Sequence, residues 1–295
     1  LPPTLTPMMR HLTLCLALLL STLSRSQVYL EWAKQLGGVD YERPNSIALG
    51  VGGIVHTAGY FQGTADFDPN AGTQNLTPAY SNSLFVSKLA NTGTYIWAKQ
   101  LDGTGYQDVS DLAVDATGNV YVLGSFDDSL DVDPGPGVQW LYAQSGNTET
   151  FLVKLDVSGN LLWGYRWGGG NAADYVYPAA LDLGPTGAVH MTGSFSGTID
   201  FDPIGTNPLT AQNEHIFILK LNPNGTFVWV QEFVPTGGSV TMTEIAVDAD
   251  GNSLLTGYFS GDVDFEPGNG QEILNGVDVD IALVKLDANG ALVWA

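Results

Sequence analysis

Short apolar stretches alternate with turns along most of the chain, and the alternation repeats at a fixed interval. In FLVKLDVSGNLLW, an apolar stretch closes in Lys-Leu-Asp, a Gly-containing turn follows, and a second apolar stretch ends on Trp163. The same pattern ends on Trp97, Trp229 and Trp294, and a lone copy of its last piece ends on Trp32. Successive tryptophans in this series lie 65, 66, 66 and 65 residues apart. A constant period of this length predicts a tandem-repeat protein.

Each repeat is predicted to contain four short strands. The first carries an apolar triplet, and a Gly-bearing turn such as 116–119 leads to a second strand in which a glycine precedes a phenylalanine by two positions. The four glycine and phenylalanine pairs are Gly59/Phe61, Gly124/Phe126, Gly193/Phe195 and Gly257/Phe259. Such a glycine predicts a β-bulge or a close approach of neighbouring backbone. β-Branched and aromatic residues bounded by turn formers recur without helical periodicity, so the sequence predicts an all-β protein.

Four strands per repeat favour a β-propeller over a β-solenoid, whose coils are usually much shorter. One four-stranded antiparallel sheet cannot hide both faces, so each sheet is expected to stack against its neighbours around an axis. The sequence predicts four tandem four-stranded antiparallel blades of about 65 residues. Their predicted bounds are 45–101, 110–168, 179–233 and 243–295, and a lone strand at 28–36 precedes them.

The predicted propeller is an open arc. The lone strand at 28–36 resembles a fourth strand, and such a strand often completes the last blade of a ring. The last repeat nevertheless supplies its own fourth strand at 290–295. We therefore expect further blades after Ala295, and exposed apolar surface at the ends of the arc.

Residues 1–26 are predicted to be a secretory signal peptide with the residues upstream of it. Arg10 and His11 form a short basic region, an apolar core follows at 12–20, and cleavage is expected before Gln27. An uncleaved N-terminal anchor is the alternative interpretation. After cleavage no membrane span is expected, because no apolar stretch of sufficient length remains.

Composition narrows the possible partners of the chain. The single cysteine, Cys15, lies in the predicted signal peptide, so the rest of the chain has no disulfide, thiolate metal site or cysteine nucleophile. The chain carries 31 acidic and 10 basic residues, and Arg10 and Arg25 leave with the signal peptide. So acidic a protein is expected to repel nucleic acid and anionic membranes. It remains compatible with divalent cations and with solubility outside the cell.

The segments LAVDATGNVYVLGSF (112–126), GTIDFDP (197–203) and LVKLDANGALVWA (283–295) resemble the SBBP-type β-propeller repeat of secreted bacterial proteins. The resemblance covers essentially all of 28–295. Two repeats depart from the pattern because Gly50 and Gly184 replace the aspartate found at Asp115 and Asp248, and the fourth departs because Glu266 replaces an aspartate of the acidic turn. The resemblance implies a secreted or cell-surface propeller, often one module of a longer protein, and it implies no defined enzymatic activity.

Acidic turns between the second and third strands are the leading candidate metal sites. They place two carboxylates on one side of an extended chain, where they are predicted either to hold Ca²⁺ or to cap the turn while the intervening residue anchors the strand end. The calcium candidates are Asp66, Asp68, Asp131, Asp133, Asp200, Asp202, Asp264 and Glu266. No other cofactor is expected.

Two further columns of residues recur through the repeats. Lys88, Lys154, Lys220 and Lys285 are expected to pair with carboxylates of their own or the adjacent blade; the alternative is a ring of ammonium groups around the axis. The other column reads His56, Tyr121, His190 and Leu254, and it is expected to serve packing or to lie at the surface.

The sequence predicts a non-enzymatic binding or structural module, since it contains no nucleophile elbow, phosphate-binding loop or zinc motif. The expected partner is a protein or glycan at the cell surface, bound by loops at one end of the blades. Trp140 and Tyr142, which fall outside the repeat columns, are candidates for stacking on a sugar or for local packing. The alternatives are a lectin-like propeller and the propeller part of a larger extracellular enzyme.

Overall fold

The computed structural model describes residues 29–144, 146–171, 173–268 and 270–295. The chain divides into two compact units, Leu1–Ala33 and Lys34–Ala295, and only residues 29–33 of the first are described. The predicted signal peptide therefore lies outside the described residues. No helix within the described ranges is long and apolar enough to cross a membrane.

The first repeat forms an antiparallel sheet in which sequential strands are neighbours. Its four long strands pair in the order β2-β3-β6-β7, and a small sheet β1-β4-β5 lies beside them. The strands are β1 (Gly37–Gly38), β2 (Glu42–Leu49), β3 (Val55–Phe61), β4 (Ala65–Asp66), β5 (Asn75–Leu76), β6 (Ser83–Leu89) and β7 (Tyr95–Asp102). A single 3-10 turn, Val51–Gly53, connects β2 and β3.

The next three repeats follow the same order. Repeat 2 consists of β8 (Gln107–Val114), β9 (Val120–Phe126), β10 (Ser129–Asp131), β11 (Trp140–Tyr142), β12 (Glu149–Leu155) and β13 (Leu161–Trp167). Repeat 3 consists of β14 (Tyr175–Leu183), β15 (Val189–Asp200), β16 (Pro208–Leu221) and β17 (Phe227–Pro235). Repeat 4 consists of β18 (Ser239–Val247), β19 (Ser253–Asp264), β20 (Ile273–Leu286) and β21 (Leu292–Trp294). Pairing of β17 with β19 joins the sheets of repeats 3 and 4.

The predicted variable loops are partly strand. In repeats 3 and 4 the second strand continues into the acidic turn and the third strand begins early, so that β15 pairs with β16 and β19 with β20 beyond the compact sheet. In repeats 1 and 2 the same extensions appear as separate short strands, β4 with β5 and β10 with β11. The segments that vary from repeat to repeat therefore form a ribbon of two paired antiparallel strands.

The predicted lone strand at 28–36 is wrong over its described part. Residues 29–36 form no strand, and pairing begins only at Gly37, which lies opposite Asp66. A strand from this segment that completed the last repeat would pair with β20, but β20 pairs with β21.

The blades begin three or four residues earlier than the predicted bounds of 45, 110, 179 and 243. Each predicted start coincides with an extra, unpaired residue on the first strand, because the register shifts there against the second strand. The bulge residues are Asn45, Ser110, Ala179 and Thr243. A β-bulge breaks the alternation of side chains along a strand. The part of each strand before the bulge therefore lacks the continuous alternation from which a strand is predicted.

The glycine of the second strand faces this bulge. A Cβ atom added at Gly59, Gly124, Gly193 or Gly257 would lie 2.0, 2.2, 2.1 or 2.0 Å from a carbonyl oxygen of the first strand. Such contacts exclude every side chain. Both predicted reasons for this glycine, a bulge and a close backbone approach, are therefore confirmed.

Aromatic side chains fill the space beside each sheet. In repeat 3, the ring centroids of Phe195, Phe201 and Phe217 lie 5.0 to 6.5 Å apart, and all three side chains are fully buried. Repeat 1 contains the equivalent group around Phe61 and Phe67. Because a buried phenylalanine removes roughly 150 Å² or more from water, these groups contribute a large part of the core.

Candidate functional sites

The first strands of the four repeats lie side by side and line an open cavity. Strand β2 contacts β8, β8 contacts β14, and β14 contacts β18. The cavity between them has a volume of about 550 Å³. Its walls come from all four first strands and from Thr57, and they include Asn45, Ser46, Ser110, Asp111, Ala180 and Glu244. A concave site with convergent polar groups is the commonest form of a ligand site.

Asp111 connects three repeats at this cavity. Its Oδ1 accepts hydrogen bonds from the Ser46 hydroxyl at 2.9 Å and from the amide of Leu112 at 2.7 Å. Its Oδ2 accepts from the amide of Leu181 in repeat 3 at 2.9 Å. Asp182 bridges repeats 3 and 4 in a related way, since its Oδ2 accepts from the amide of Val247 at 2.7 Å. Asp111 is therefore a structural carboxylate with little capacity left for a ligand.

The hydrogen-bond acceptors that remain for a ligand at the cavity belong to Asn45 and Glu244. The Asn45 amide donates to Asp108 Oδ1 and to the carbonyl of Val109, each at 2.8 Å, while its buried Oδ1 has no partner. Desolvation at the cavity wall, and then the negative charge of Asp111, raise the pKa of Glu244. No Lys or Arg lines the cavity in the described part of the chain. The cavity therefore suits a ligand that donates hydrogen bonds, and it disfavours an anion.

The repeated lysine and tryptophan form an interlock between neighbouring repeats. In repeat 1, Lys88 Nζ donates to the carbonyl of Val157 at 2.9 Å, and the Trp97 indole donates to the same oxygen at 3.1 Å. Val157 lies in the turn between the third and fourth strands of repeat 2. The same two bonds recur twice: Lys154 and Trp163 to Pro223, at 2.9 and 3.3 Å, and Lys220 and Trp229 to Ala288, at 2.7 and 3.2 Å.

The predicted pairing of these lysines with carboxylates is only partly confirmed. Lys154 lies 3.7 Å from Asp115, and Lys285 lies 2.9 Å from Asp248, in each case within its own repeat. Lys88 and Lys220 make no ion pair among the described residues, and their hydrogen-bond acceptor is a carbonyl. Burial lowers the pKa of the three internal lysines, while nearby carboxylates partly oppose that shift. The ammonium groups of Lys88, Lys154 and Lys220 therefore lie between repeats, whereas that of Lys285 bonds within its own repeat.

His56 and His190 face these lysines across paired strands and are buried, so the predicted packing role is the one they have. His56 lies opposite Lys88, and His190 lies opposite Lys220. Burial and then the neighbouring ammonium group lower the pKa of each histidine to about 4. His190 Nδ1 contacts the Ser253 hydroxyl of repeat 4 at 2.8 Å, whereas both ring nitrogens of His56 lack a partner. Both histidines are therefore neutral near pH 7.

The acidic turns use their carboxylates to hold the backbone. Asp66 Oδ1 accepts from the amides of Asp68 and Gln74 at 2.9 and 2.8 Å, and Phe67 between the carboxylates is buried. Asp131, Asp200 and Asp264 each accept two amide hydrogen bonds in the same way. Asp68, Asp133 and Asp202 in turn accept from amides that follow them, while Glu266 donates its own amide to Asp264. The described residues bring together no group of three or more metal-ligating side chains.

Calcium binding at these turns stays a prediction, and Asp131→Asn can test it. Asparagine keeps a side-chain oxygen that accepts the two amide bonds, but it removes the charge that calcium needs. We expect millimolar Ca²⁺ to raise the melting temperature of the natural chain, and Asp131→Asn to reduce that rise without lowering stability in chelator. Identical melting curves in calcium and in chelator would contradict calcium binding.

Trp140 and Tyr142 lie side by side on the ribbon strand β11. Their ring centroids are 6.4 Å apart with 31° between the planes, and Tyr142 is exposed. Pairing with β10 fixes Trp140 opposite Asp131 and Tyr142 opposite Ser129. The ribbon therefore presents two neighbouring rings on one face, next to an acidic turn.

Comparisons with known proteins support the repeat assignment. Residues 96–125, which run from β7 into β9, match the SBBP β-propeller repeat family. An uncharacterized WD repeat-containing protein of Acanthamoeba polyphaga mimivirus is 21% identical over 326 aligned residues that cover 90% of this chain. The chain spans 23% of the length of that relative.

A crystal structure of a protein of unknown function from Bacteroides caccae is 13% identical to the chain. The match covers 85% of this chain and 80% of that one, at a TM-score of 0.36, which is too low to support an argument about fold. The family match agrees with the predicted resemblance and with the all-β antiparallel sheets. The chain carries a β-propeller repeat of the SBBP type.

Proposed function

We propose that this chain is a secreted or cell-surface β-propeller that acts as a non-enzymatic binding module, with its ligand in the cavity between the first strands. The observation that carries the proposal is the convergence of four bulged strands on one cavity of about 550 Å³. Bulges are enriched next to functional sites, where they redirect side chains. Each repeat contributes one bulge, so the cavity is a product of the repeat pattern.

The polar groups that line the cavity determine which class of ligand it can bind. The unpartnered Asn45 Oδ1 and the carboxylate of Glu244 are hydrogen-bond acceptors, while Ser110 adds a hydroxyl. A small amine or polyol supplies the matching donors. The acidic character of the whole chain, with 31 acidic residues, disfavours nucleic acid and anionic membranes as partners.

A titration followed by amide NMR tests this site with a set of small amines and polyols. Shifts are expected at Ser46, Ser110 and Glu244, and Glu244→Gln is expected to weaken amine binding about tenfold, a typical value for a charge-assisted hydrogen bond. Glu214→Gln is the control, because Glu214 accepts from Tyr175 elsewhere on the surface. Shifts confined to other surfaces, or equal binding by Glu244→Gln, would contradict the cavity as the site.

A lectin-like role is the second candidate, favoured by the neighbouring rings of the partly buried Trp140 and the exposed Tyr142. Aromatic faces beside hydrogen-bonding carboxylates suit a sugar ring, which is apolar on its faces and polar at its edges. Binding on a glycan array that Trp140→Ala abolishes and Glu244→Gln preserves would support this role over the cavity.

The four sheets are proposed to be consecutive blades of an open arc. Ile47 and Leu49 of repeat 1 are exposed, and so are Ile281 and Leu283 of repeat 4. A closed ring of four blades would cover both groups. The arc therefore has two apolar end faces.

A further inference from the structure

Tyrosines recur on the first strands, just before the bulges that line the cavity. The residue four positions before the bulge is a tyrosine in repeats 1, 2 and 3, namely Tyr41, Tyr106 and Tyr175. Two positions before the bulge, repeat 3 adds Tyr177. Side chains two and four positions apart on a strand lie on one face. These four tyrosines, called the tyrosine face below, therefore lie on the same side of the strands as the bulge residues at the cavity.

Pairing and burial in repeat 2 agree with this orientation. A backbone hydrogen bond of 2.8 Å to the carbonyl of Tyr106 extends the pairing of β8 with β9 to this tyrosine. Gln107 and Val109 are buried, whereas Tyr106 between the sheet and solvent is 52% exposed. Tyr41 and Tyr177 are 54% and 46% exposed. The tyrosine face therefore presents its rings to solvent next to the cavity.

Hydrogen bonds connect the tyrosine face to the cavity wall. The Tyr106 hydroxyl donates to Asp108 Oδ2 at 3.2 Å, and Asp108 Oδ1 accepts from the Asn45 amide of repeat 1 at 2.8 Å. Burial and then the Asp108 carboxylate raise the pKa of Tyr106, while the Arg43 guanidinium of repeat 1 partly opposes the shift. Repeats 1 and 2 therefore form one continuous surface from the tyrosines to the cavity.

The charges beside the tyrosines are mainly negative. Asp108, Asp111 and Glu244 contribute three carboxylates, and Arg43 is the one cationic residue in the described first strands. A hydrogen bond to the Tyr60 hydroxyl, and then the charge of Asp108, raise the pKa of Arg43, so this cation already has partners within the chain. Aromatic faces and carboxylates both attract cations. The surface therefore matches a positively charged ligand.

We propose that the cavity and the tyrosine face together bind an exposed lysine side chain of a protein partner. The ammonium group, with its three donors, enters the cavity beside Glu244. The aliphatic stem and the flanking peptide lie across the tyrosines, a residue type enriched at protein interfaces. The proposal rests on the proposed ligand site in the cavity, and it adds the class of partner.

Charge favours a lysine over a neutral glycan as the occupant. A neutral sugar would exclude water from the Glu244 carboxylate without supplying a counter-charge, whereas an ammonium group supplies one. The chain carries 31 acidic and 10 basic residues, so its field attracts a basic partner. A free amine fills only the cavity and leaves the tyrosines in water. A lysine within a peptide is therefore expected to bind more tightly than a free amine.

Titration calorimetry of the natural chain with three probes tests this expectation. The probes are butylamine, a blocked pentapeptide with a central lysine between glycines, and the same peptide with norleucine in place of the lysine. We expect the lysine peptide to bind about tenfold more tightly than butylamine, because only the peptide contacts the tyrosines. The norleucine peptide, which lacks the ammonium group, is expected to bind about tenfold more weakly than the lysine peptide.

Substitutions separate the tyrosine face from the cavity. Tyr41→Ala and Tyr177→Ala are each expected to weaken binding of the lysine peptide about fivefold and to leave butylamine binding unchanged. Tyr41→Phe and Tyr177→Phe keep the ring and are expected to keep the affinity. Glu244→Gln is expected to weaken both ligands about tenfold. The control is Tyr142→Ala, because Tyr142 is an exposed tyrosine on the ribbon strand β11.

The failures of the two proposals give different results. Butylamine binding that depends on Glu244, with a lysine peptide that binds no more tightly and does not respond to Tyr41→Ala or Tyr177→Ala, would keep the cavity as a ligand site and overturn the lysine partner. Absence of binding by both butylamine and the peptide would overturn both proposals. Binding of a neutral oligosaccharide that Tyr41→Ala weakens, without binding of the lysine peptide, would assign the tyrosine face to a glycan.

Discussion

Gly124→Ala is expected to destabilise the protein by about 3 kcal/mol or more, which is among the largest effects available to a single methyl group. A Cβ atom at this position would lie 2.2 Å from the carbonyl oxygen of Asp108 and 2.6 Å from the ring of Phe151. Neither can move freely, because Asp108 belongs to the bulged strand β8 and Phe151 is fully buried. Denaturation in urea, followed by circular dichroism, measures the loss.

Gly170→Ala is the matched control for this substitution. The nearest atom to an added Cβ there is the side-chain oxygen of Gln144 at 4.0 Å. We expect a change within about 0.5 kcal/mol, typical of a surface substitution. If Gly124→Ala were equally mild, the close approach of the first and second strands would be wrong.

Acidification from pH 6.5 to pH 4 is expected to destabilise the fold through its two enclosed histidines. An unfolded histidine binds its proton near pH 6.5, whereas His56 and His190 have pKa values of about 4 in the folded state. The unfolded state therefore binds more protons in this window, and stability is lost as the pH falls through it. The expected loss is on the order of 3 kcal/mol per histidine by pH 4.

His56→Leu isolates one of the two contributions. Leucine occupies the equivalent position in repeat 4 as Leu254, and His56 has no hydrogen bond to lose. We expect the variant to be more stable than the natural chain at pH 7 and to lose about half of the pH dependence between 6.5 and 4. His215→Leu, which removes a half-buried histidine bonded to Glu232, is the control. A pH profile that is the same for His56→Leu and the natural chain would contradict a neutral, enclosed His56.

The strand order and the inward residues were predictable from the sequence because both follow from local periodicity. The spacing of the tryptophans gave the repeat, and the alternation in Asp66-Phe67-Asp68 placed Phe67 inside. The bulges were not predictable in the same way, since the extra residue at Asn45 or Ser110 has no common side-chain type. A bulge is defined by pairing with another strand, and one chain segment read alone does not contain that information.

The partners of the residues at the candidate sites could not be predicted from the sequence either. The lysine column was identified from its spacing, but its acceptor is a carbonyl about 69 residues away, such as that of Val157 or Pro223. Carbonyls occur at every residue, so no residue type marks them in a sequence. Asp111 was likewise missed, because its importance comes from simultaneous bonds to repeats 1 and 3.

The indole groups of the interlock also place a fluorescent side chain at the boundaries between repeats. Trp97 and Trp229 each bond a carbonyl of the next repeat, and a lysine ammonium group lies 5.7 or 5.8 Å from the ring centroid. Indole emission responds to a nearby charge and to contact with water. Separation of two repeats would therefore change the intrinsic fluorescence of the protein at that boundary. Single-tryptophan variants would then report which boundary opens first, and how fast, without an added dye.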